Sequence, residues 1–215
     1  LFTTNGFNYT PGAGSNRLAL VMVTAENSTG PADMGSVTLG GQTLTAIENA
    51  NGVTVGSGTG YNNIIWLGYL DETAIGNMSG TSLIINWDAP PDEPMGEIKV
   101  QAATYENVDQ TTPVADSASN STGTGTAASI QAGSVSVGEG DQLVYVTVCG
   151  HIADHTAPGG YSEHIEQDGP DIPTPNDHSN ASTSRDATTS STENPTATWS
   201  VTGRLAIISV VLDAA

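Results

Sequence analysis

The sequence predicts an all-β sandwich that occupies residues 1–215 as a single domain. The apolar runs are short and separated by Gly, Pro, Asn and Asp, and no segment holds a helical period of 3.6 residues. Ser, Thr, Asn and Gly dominate the polar residues, and they favour turns and exposed strand faces over helix interiors. All-β sandwiches of this length often remain undivided, so one domain is expected.

The expected strands are marked by alternating or continuous apolar residues. In one run, Leu83, Ile85 and Trp87 face one way while the residues between them face the other. In chain order, the expected strands cover 17–24, 36–47, 63–71, 81–88, 97–106, 128–137, 142–149, 196–201 and 204–213.

Three expected strands are apolar on both faces, namely 18–23, 64–70 and 205–212. A strand has this pattern when both faces of its sheet are covered. One face belongs to the sandwich core. For the other face we expect either long loops or a neighbouring molecule, because monomers seldom expose large apolar patches.

Two polar stretches interrupt this strand pattern, of which 51–61 is predicted to be a hairpin loop. Residues 150–195 are rich in Ser, Thr, Asp, Asn and Pro, with one strand-like piece at 160–165, and they are predicted to form a long loop insertion. Residues 1–10 precede the first clear strand. They are either a donor strand for a neighbouring copy or the first strand of their own sheet.

The charge balance excludes several kinds of partner. Against 23 carboxylates the chain carries four Lys and Arg residues, for a formal net charge of −19. Such a surface repels nucleic acids and anionic membranes, and no apolar run is long enough for membrane insertion. It attracts cations, and it holds copies of the protein apart unless salt or metal ions screen the charge.

Cysteine content and the start of the chain bear on its origin. Cys149 is the single cysteine, so no internal disulfide is available, and a core of this size does not need one. The chain begins at Leu1 without an initiator Met, as expected of a processed mature form or an excised domain.

Several local patterns occur in an order found in a known group of modules. They are the runs 14–21, 37–45, 105–113, 138–144, 157–161, 198–201 and 205–212, with sequences GSNRLALV, VTLGGQTLT, YENVDQTTP, GEGDQLV, APGGY, TWSV and LAIISVVL. In this order they resemble the jelly-roll-like antiparallel β-sandwich modules of prokaryotic extracellular and cell-surface proteins. The resemblance implies an extracellular, structural or adhesive role and transfers no catalytic residue.

Acidic turns are the first candidate sites. Hard cations such as calcium prefer several oxygen ligands at loop bends, and ordinary acidic surface is the alternative reading. The nominated calcium ligands are Asp88, Asp92, Glu93, Glu97, Asp168 and Asp171. Cys149, His151 and His155 form a second candidate, for a transition metal, although their spacing matches no standard zinc motif.

Catalytic patterns are missing from the sequence, so we expect no enzymatic activity. No G-x-S-x-G motif is present, and the three tryptophans lie within expected strands rather than in a sugar-binding cleft. N-x-[ST] sequons, by contrast, offer candidate glycosylation sites. They begin at Asn8, Asn27, Asn77, Asn120 and Asn180.

The sequence favours a non-enzymatic extracellular subunit that self-assembles into a filament, a pilus-like appendage or a surface layer. Copies would join by strand complementation, with Leu1, Phe2, Phe7 and Tyr9 filling a neighbour's groove. The alternative is an adhesive or carbohydrate-binding module of a larger surface protein, which would grip glycan or matrix through 150–195. A viral capsid or decoration protein is a third reading.

Overall fold

The computed structural model describes residues 2–27, 33–47, 53–55, 62–89, 98–123, 125–167 and 178–215. Within these ranges the regular secondary structure is almost entirely antiparallel β-sheet, which confirms the all-β prediction. The same ranges contain one short helix, α1 (Glu72–Gly76), whose N-cap Asp71 accepts a hydrogen bond from the backbone N–H of Ala74. They contain no helix with the length and hydropathy needed to cross a membrane.

The first half of the chain forms two sheets packed face to face. Its strands are β1 (Phe2–Asn8), β2 (Leu18–Asn27), β3 (Asp33–Leu39), β4 (Gln42–Thr43), β5 (Thr45–Ile47), β6 (Val53–Val55), β7 (Asn62–Leu70), β8 (Ser82–Ala89) and β9 (Ile98–Tyr105). The outer sheet has the order β1-β8-β3-β4. The inner sheet has the order β5-β7-β2-β9, and β6 also pairs with β7.

The second half repeats this two-sheet arrangement. Its strands are β10 (Val114–Ser121), β11 (Ala127–Gln131), β12 (Val135–Val137), β13 (Gln142–Cys149), β14 (His155–Thr156), β15 (Ser162–Gln167), β16 (Ser179–Asp186), β17 (Ser191–Glu193), β18 (Thr196–Gly203) and β19 (Leu205–Leu212). The inner sheet has the order β10-β19-β13-β16-β15. The outer layer holds the sheet β11-β18-β14 and the pair β12-β17.

The inner sheets of the two halves pack against each other, and this contact explains the strands that are apolar on both faces. In β2, Leu18, Leu20 and Met22 enter a central core shared with β13 and β19. Ala19 and Val21, on the opposite face, pack against the outer sheet of the first half. The expectation of covering loops or a neighbouring molecule was therefore wrong, because other sheets of the same chain cover these strands.

The strand order of the first half recurs in the second. In the inner sheets β5-β7-β2-β9 matches β15-β16-β13-β19, and in the outer sheets β1-β8-β3 matches β11-β18-β14. The halves differ at one edge. The second half adds β10 beside β19, whereas among the described residues no strand lies beside the corresponding side of β9.

The segment 150–195 is not the long loop that the sequence predicted. Its described part contains β14, β15, β16 and β17, and β16 lies inside the inner sheet between β13 and β15. Apart from Arg185, the residues of β16 are small and mostly polar, and Ser179, Asn180, Ala181 and Thr183 are buried. A strand of small side chains that form hydrogen bonds fits between two sheets without long apolar residues.

Gly68 in β7 provides a test of the inner packing. A Cβ atom at this position would lie 2.2 Å from Cη2 of Trp66 and 2.9 Å from the carbonyl oxygen of Thr45. We therefore expect Gly68→Ala to lower the free energy of unfolding by about 1–3 kcal/mol through overpacking. Urea denaturation measures the change. Gly76→Ala is the matched control, because nothing lies within 4 Å of its Cβ position, and an equal effect in both variants would contradict the prediction.

Candidate functional site

The unpaired side of β9 is the strongest candidate for a functional surface. Along its other side, β9 pairs with β2 from Tyr105 opposite Leu18 to Ile98 opposite Ala25. Within the described ranges no strand pairs with its outer edge. We call this side of β9 the open edge. Unpaired strand edges present backbone N–H and C=O groups to which another strand can bond.

An apolar groove lies on the side of the open edge that faces the outer sheet. It has a volume of about 360 Å³ and is lined by Phe7, Tyr9 and Leu83 together with Val100 and Ala102 of β9, with Asn8 as its polar member. Val100 and Ala102 are only partly buried, although they pack against the core of the first half. This groove therefore leads from the open edge into the space between the two sheets.

A second groove lies on the opposite side of β9, between the two inner sheets. It has a volume of about 340 Å³, and its lining is mostly apolar, with Leu20, Met22 and Ala103 from the first half and Val144 and Ile165 from the second. The side chain of Ile165 in β15 is 39% exposed. The open edge is thus bordered by apolar grooves on both faces of its sheet.

The segment after β1 is fixed at one end of the open edge. The hydroxyls of Tyr9 and Thr104 are 2.7 Å apart, and the backbone N–H of Gly12 donates to the Thr104 hydroxyl at 2.8 Å. These bonds hold β1 and the following residues against the first half's own sheet.

A buried polar seam joins the inner sheets next to the open edge. It consists of Thr24, Lys99, Gln101, His178 and Asn180, all of them buried. Nε2 of His178 lies 2.9 Å from Oγ1 of Thr24, and the Asn180 amide donates to the same oxygen at 2.7 Å. The Gln101 amide donates to Oδ1 of Asn180 at 2.6 Å. These directional bonds fix the position of β9 relative to β16.

The two ionisable side chains of the seam, Lys99 and His178, are both buried. Nζ of Lys99 donates to the carbonyl oxygens of Gln167, at 3.2 Å, and of His178. Burial, reinforced by the nearby Lys99 charge, lowers the pKa of His178 to about 3. His178 is therefore neutral at pH 7, and Lys99 makes its contacts with carbonyl oxygens. The seam is a structural element, because most of its hydrogen bonds join its own residues, while Nδ1 of His178 and Oε1 of Gln101 are buried without a hydrogen-bond partner.

A second polar cluster lies between the inner and outer sheets of the second half. Nδ1 of His155 bonds to Glu163, and Nε2 lies 3.2 Å from the hydroxyl of Tyr145. The imidazole also meets the Trp199 ring edge-on, with centroids 5.1 Å apart. Burial lowers the pKa of His155, against the opposing effect of Glu163, and raises that of Tyr145 to about 12. Glu163, His155 and Tyr145 thus form a carboxylate–imidazole–hydroxyl series. Because Tyr145 is fully buried, a substrate could not reach its hydroxyl.

The structure places two of the three residues nominated as transition-metal ligands near each other, and the third is bonded to other groups. Sγ of Cys149 and the ring of His151 both lie beside Gly203, whereas His155 is bonded to Glu163 and Tyr145. Burial raises the pKa of Cys149 to about 12, which disfavours the thiolate that metals bind. In the described part of the chain, no group of three or more His, Cys, Asp and Glu side chains is arranged to hold a metal ion.

The nominated calcium ligands fall largely outside the described residues. Asp92, Glu93, Glu97, Asp168 and Asp171 lie there entirely. For Asp88, at the end of β8, the backbone is described but the side chain is not. The calcium prediction stays a prediction.

The five sequons differ in accessibility. Asn8, Asn77 and Asn120 are exposed, and the side chain of Asn27 lies outside the described residues. Asn180 is fully buried and its amide bonds to Thr24 and Gln101 in the polar seam, which leaves no space for a glycan in the folded chain.

The segment nominated as a donor strand is β1, a strand of its own sheet. It pairs with β8, with Phe2 opposite Trp87 and Asn8 opposite Ser82. Phe7 packs against the core of the first half, and Tyr9 bonds to Thr104. Leu1 and the side chain of Phe2 lie outside the described residues. The sequence left two roles open for 1–10, a donor strand for a neighbouring copy or the first strand of its own sheet. In this structure the segment is a strand of its own sheet.

Comparisons with known proteins identify no relative. No protein-family model matches the chain, and neither the curated proteins nor the solved structures include a significant match. The functional conclusion therefore rests on the geometry described above.

Proposed function

We propose that this chain is a non-enzymatic structural subunit of an extracellular or cell-surface assembly, joined to its neighbours by strand addition. The observation that supports this most is the open edge of β9 with an apolar groove on each side. An added strand gains backbone hydrogen bonds along such an edge, and its alternate side chains fill the flanking grooves. These are the two features that strand complementation requires.

The jelly-roll assignment is part of the same proposal. In the second half, the first strand, β10, lies beside the last, β19, and the chain crosses several times between the inner and outer sheets. Jelly rolls are double sheets built from Greek keys, in which a strand returns to lie beside the first. The first half has the same order without a counterpart of β10 among its described strands.

The adhesive or carbohydrate-binding alternative gains less support. Sugar recognition commonly needs exposed aromatic faces. Here Trp66, Trp87 and Trp199 are at most 2% exposed, and the large apolar side chains most exposed in the described residues are the aliphatic Ile152, Ile165 and Val201.

Assembly is expected to increase with ionic strength, because the net charge of −19 opposes association and salt screens it. Light scattering and negative-stain microscopy of the chain at low and high NaCl, each with CaCl₂ or a chelator, measure this. Polymers that grow with added salt or calcium support the proposal. A chain that stays monomeric under every condition, or an assembly that salt weakens and the chelator leaves unchanged, contradicts it.

A further inference from the structure

We infer that the open edge of β9 accepts an antiparallel strand from a second copy of this chain, in the position that β10 occupies in the second half. This inference rests on the proposed function and specifies its contact. The evidence is the repeated strand order, the placement of side chains on β10, and the charge of β9.

The second half shows how the chain itself completes such an edge. β10 runs antiparallel to β19, from Val114 opposite Leu212 to Ser121 opposite Ala206. The strand β19 corresponds to β9, since each lies beside the second strand of its sandwich, β13 or β2. A strand added antiparallel to β9 would therefore extend the first inner sheet as β10 extends the second.

The side chains of β10 define what such a strand must carry. Val114 packs into the central core, whereas Ala118 packs on the opposite face, against the outer layer of the second half. The remaining residues of β10 are mostly small and polar. Beside β9, the corresponding faces are the two apolar grooves, so the incoming strand needs small apolar residues that reach both faces.

Charge favours a second copy as the source of this strand. The sequence of β9 contains no carboxylate, and its one charged residue, Lys99, is buried with Nζ bonded to backbone carbonyl oxygens. The chain as a whole has 23 carboxylates against four Lys and Arg residues, so most of its segments are neutral or acidic. A strand from an acidic second copy therefore meets no like charge on β9 itself. Strands rich in Ser, Thr and Ala are also abundant in this chain.

The test uses an end-capped fluorescent peptide with the sequence of β10, Val114–Ser121, and the complete chain. Fluorescence anisotropy measures peptide binding, and light scattering measures assembly with and without excess peptide. We expect saturable binding at one site and suppression of assembly. A peptide carrying Val114→Asp and Ala118→Asp should bind at least about tenfold more weakly, because charged side chains do not enter the grooves.

Two variants of the chain locate the binding site. Ala102→Lys places a charged side chain at the open edge and should weaken both peptide binding and assembly by about tenfold or more. Ser129→Lys, on the exposed edge strand β11, is the matched control and should change neither by more than about twofold. Circular dichroism establishes that both variants are folded, and the peptide experiments on the unchanged chain need no variant.

The outcomes separate this inference from the proposed function. Assembly that neither the peptide nor Ala102→Lys affects overturns the inference while the structural role stands. Peptide binding that Ala102→Lys removes, in a chain that never assembles, overturns the second copy as the occupant and the proposed function with it. Loss of assembly in Ala102→Lys alone, together with suppression by the peptide, supports both.

Discussion

Replacing Leu67 or Ile208 with alanine is expected to destabilise the entire molecule by about 2–5 kcal/mol per substitution. Leu67 lies in β7 and Ile208 in β19, and both are fully buried in the central core between the inner sheets. Each truncation leaves a cavity at the contact that joins the two halves. The loss should therefore appear as one shifted unfolding transition, measured by urea denaturation followed by tryptophan fluorescence and circular dichroism.

Val201→Ala is the control for these variants. Val201 lies in β18 and is 40% exposed, so its truncation should change the free energy of unfolding by no more than about 0.5 kcal/mol. Two separate transitions, of which only one moves in Leu67→Ala, would show that the halves unfold independently. That result would contradict a central core that couples them.

The second large effect is a loss of stability in acid that depends on His178. Burial lowers the pKa of His178 from 6.5 to about 3, so the unfolded chain binds a proton that the folded chain does not. The contribution of this residue to stability is complete above pH 6.5 and is lost as the pH falls toward 3. The slope is about 1.4 kcal/mol per pH unit, and His155, whose pKa is also lowered by burial, adds a loss of the same sign.

His178→Gln removes the titrating group and retains a hydrogen-bonding side chain beside Thr24. The difference in unfolding free energy between pH 7.5 and pH 5, taken from urea titrations, should be smaller in His178→Gln than in the unchanged chain. His164→Gln is the control, because His164 is exposed on β15. An unchanged pH dependence in His178→Gln would show that this histidine is not the group responsible.

Apolar patterning was sufficient to predict the all-β class and most of the long strands. The alternation of Leu83, Ile85 and Trp87 and the continuous apolar run of Leu205–Leu212 each correspond to observed strands, β8 and β19. Pattern also indicated that β2, β7 and β19 are covered on both faces. The pattern did not reveal which elements cover these strands, because it indicates that a residue is buried and does not identify its neighbour.

The strand β16 shows the limit of predicting strands from apolar patterns. Its sequence, SNASTSRD, has the composition of a loop, yet it forms an inner strand in which Asn180 bonds to Thr24 and Gln101 of the facing sheet. Those partners are remote in sequence, such as Thr24 for Asn180, so no local pattern reveals them. The open edge of β9 could not be predicted from the sequence either, because it is defined by which strands pair with one another.

One sequence signal could have revealed the repeated strand order. Gly-Gly pairs at 40–41 and 159–160 precede β4 and β15, and single tryptophans, Trp87 and Trp199, occupy the middle strands of the two outer sheets. Comparison of the two halves with each other would have aligned these features. A long polar segment between two apolar strands would then have been divided into strands.

The burial of Cys149 has a practical consequence for labelling this protein. The thiol is fully buried, and with its pKa raised to about 12 it is almost entirely protonated at neutral pH. Maleimides and spin-label reagents, which require an accessible thiolate, should leave it unmodified in the folded state. Any cysteine introduced at the surface then becomes the sole reactive position. Distances between copies can be mapped spectroscopically without first removing the native residue.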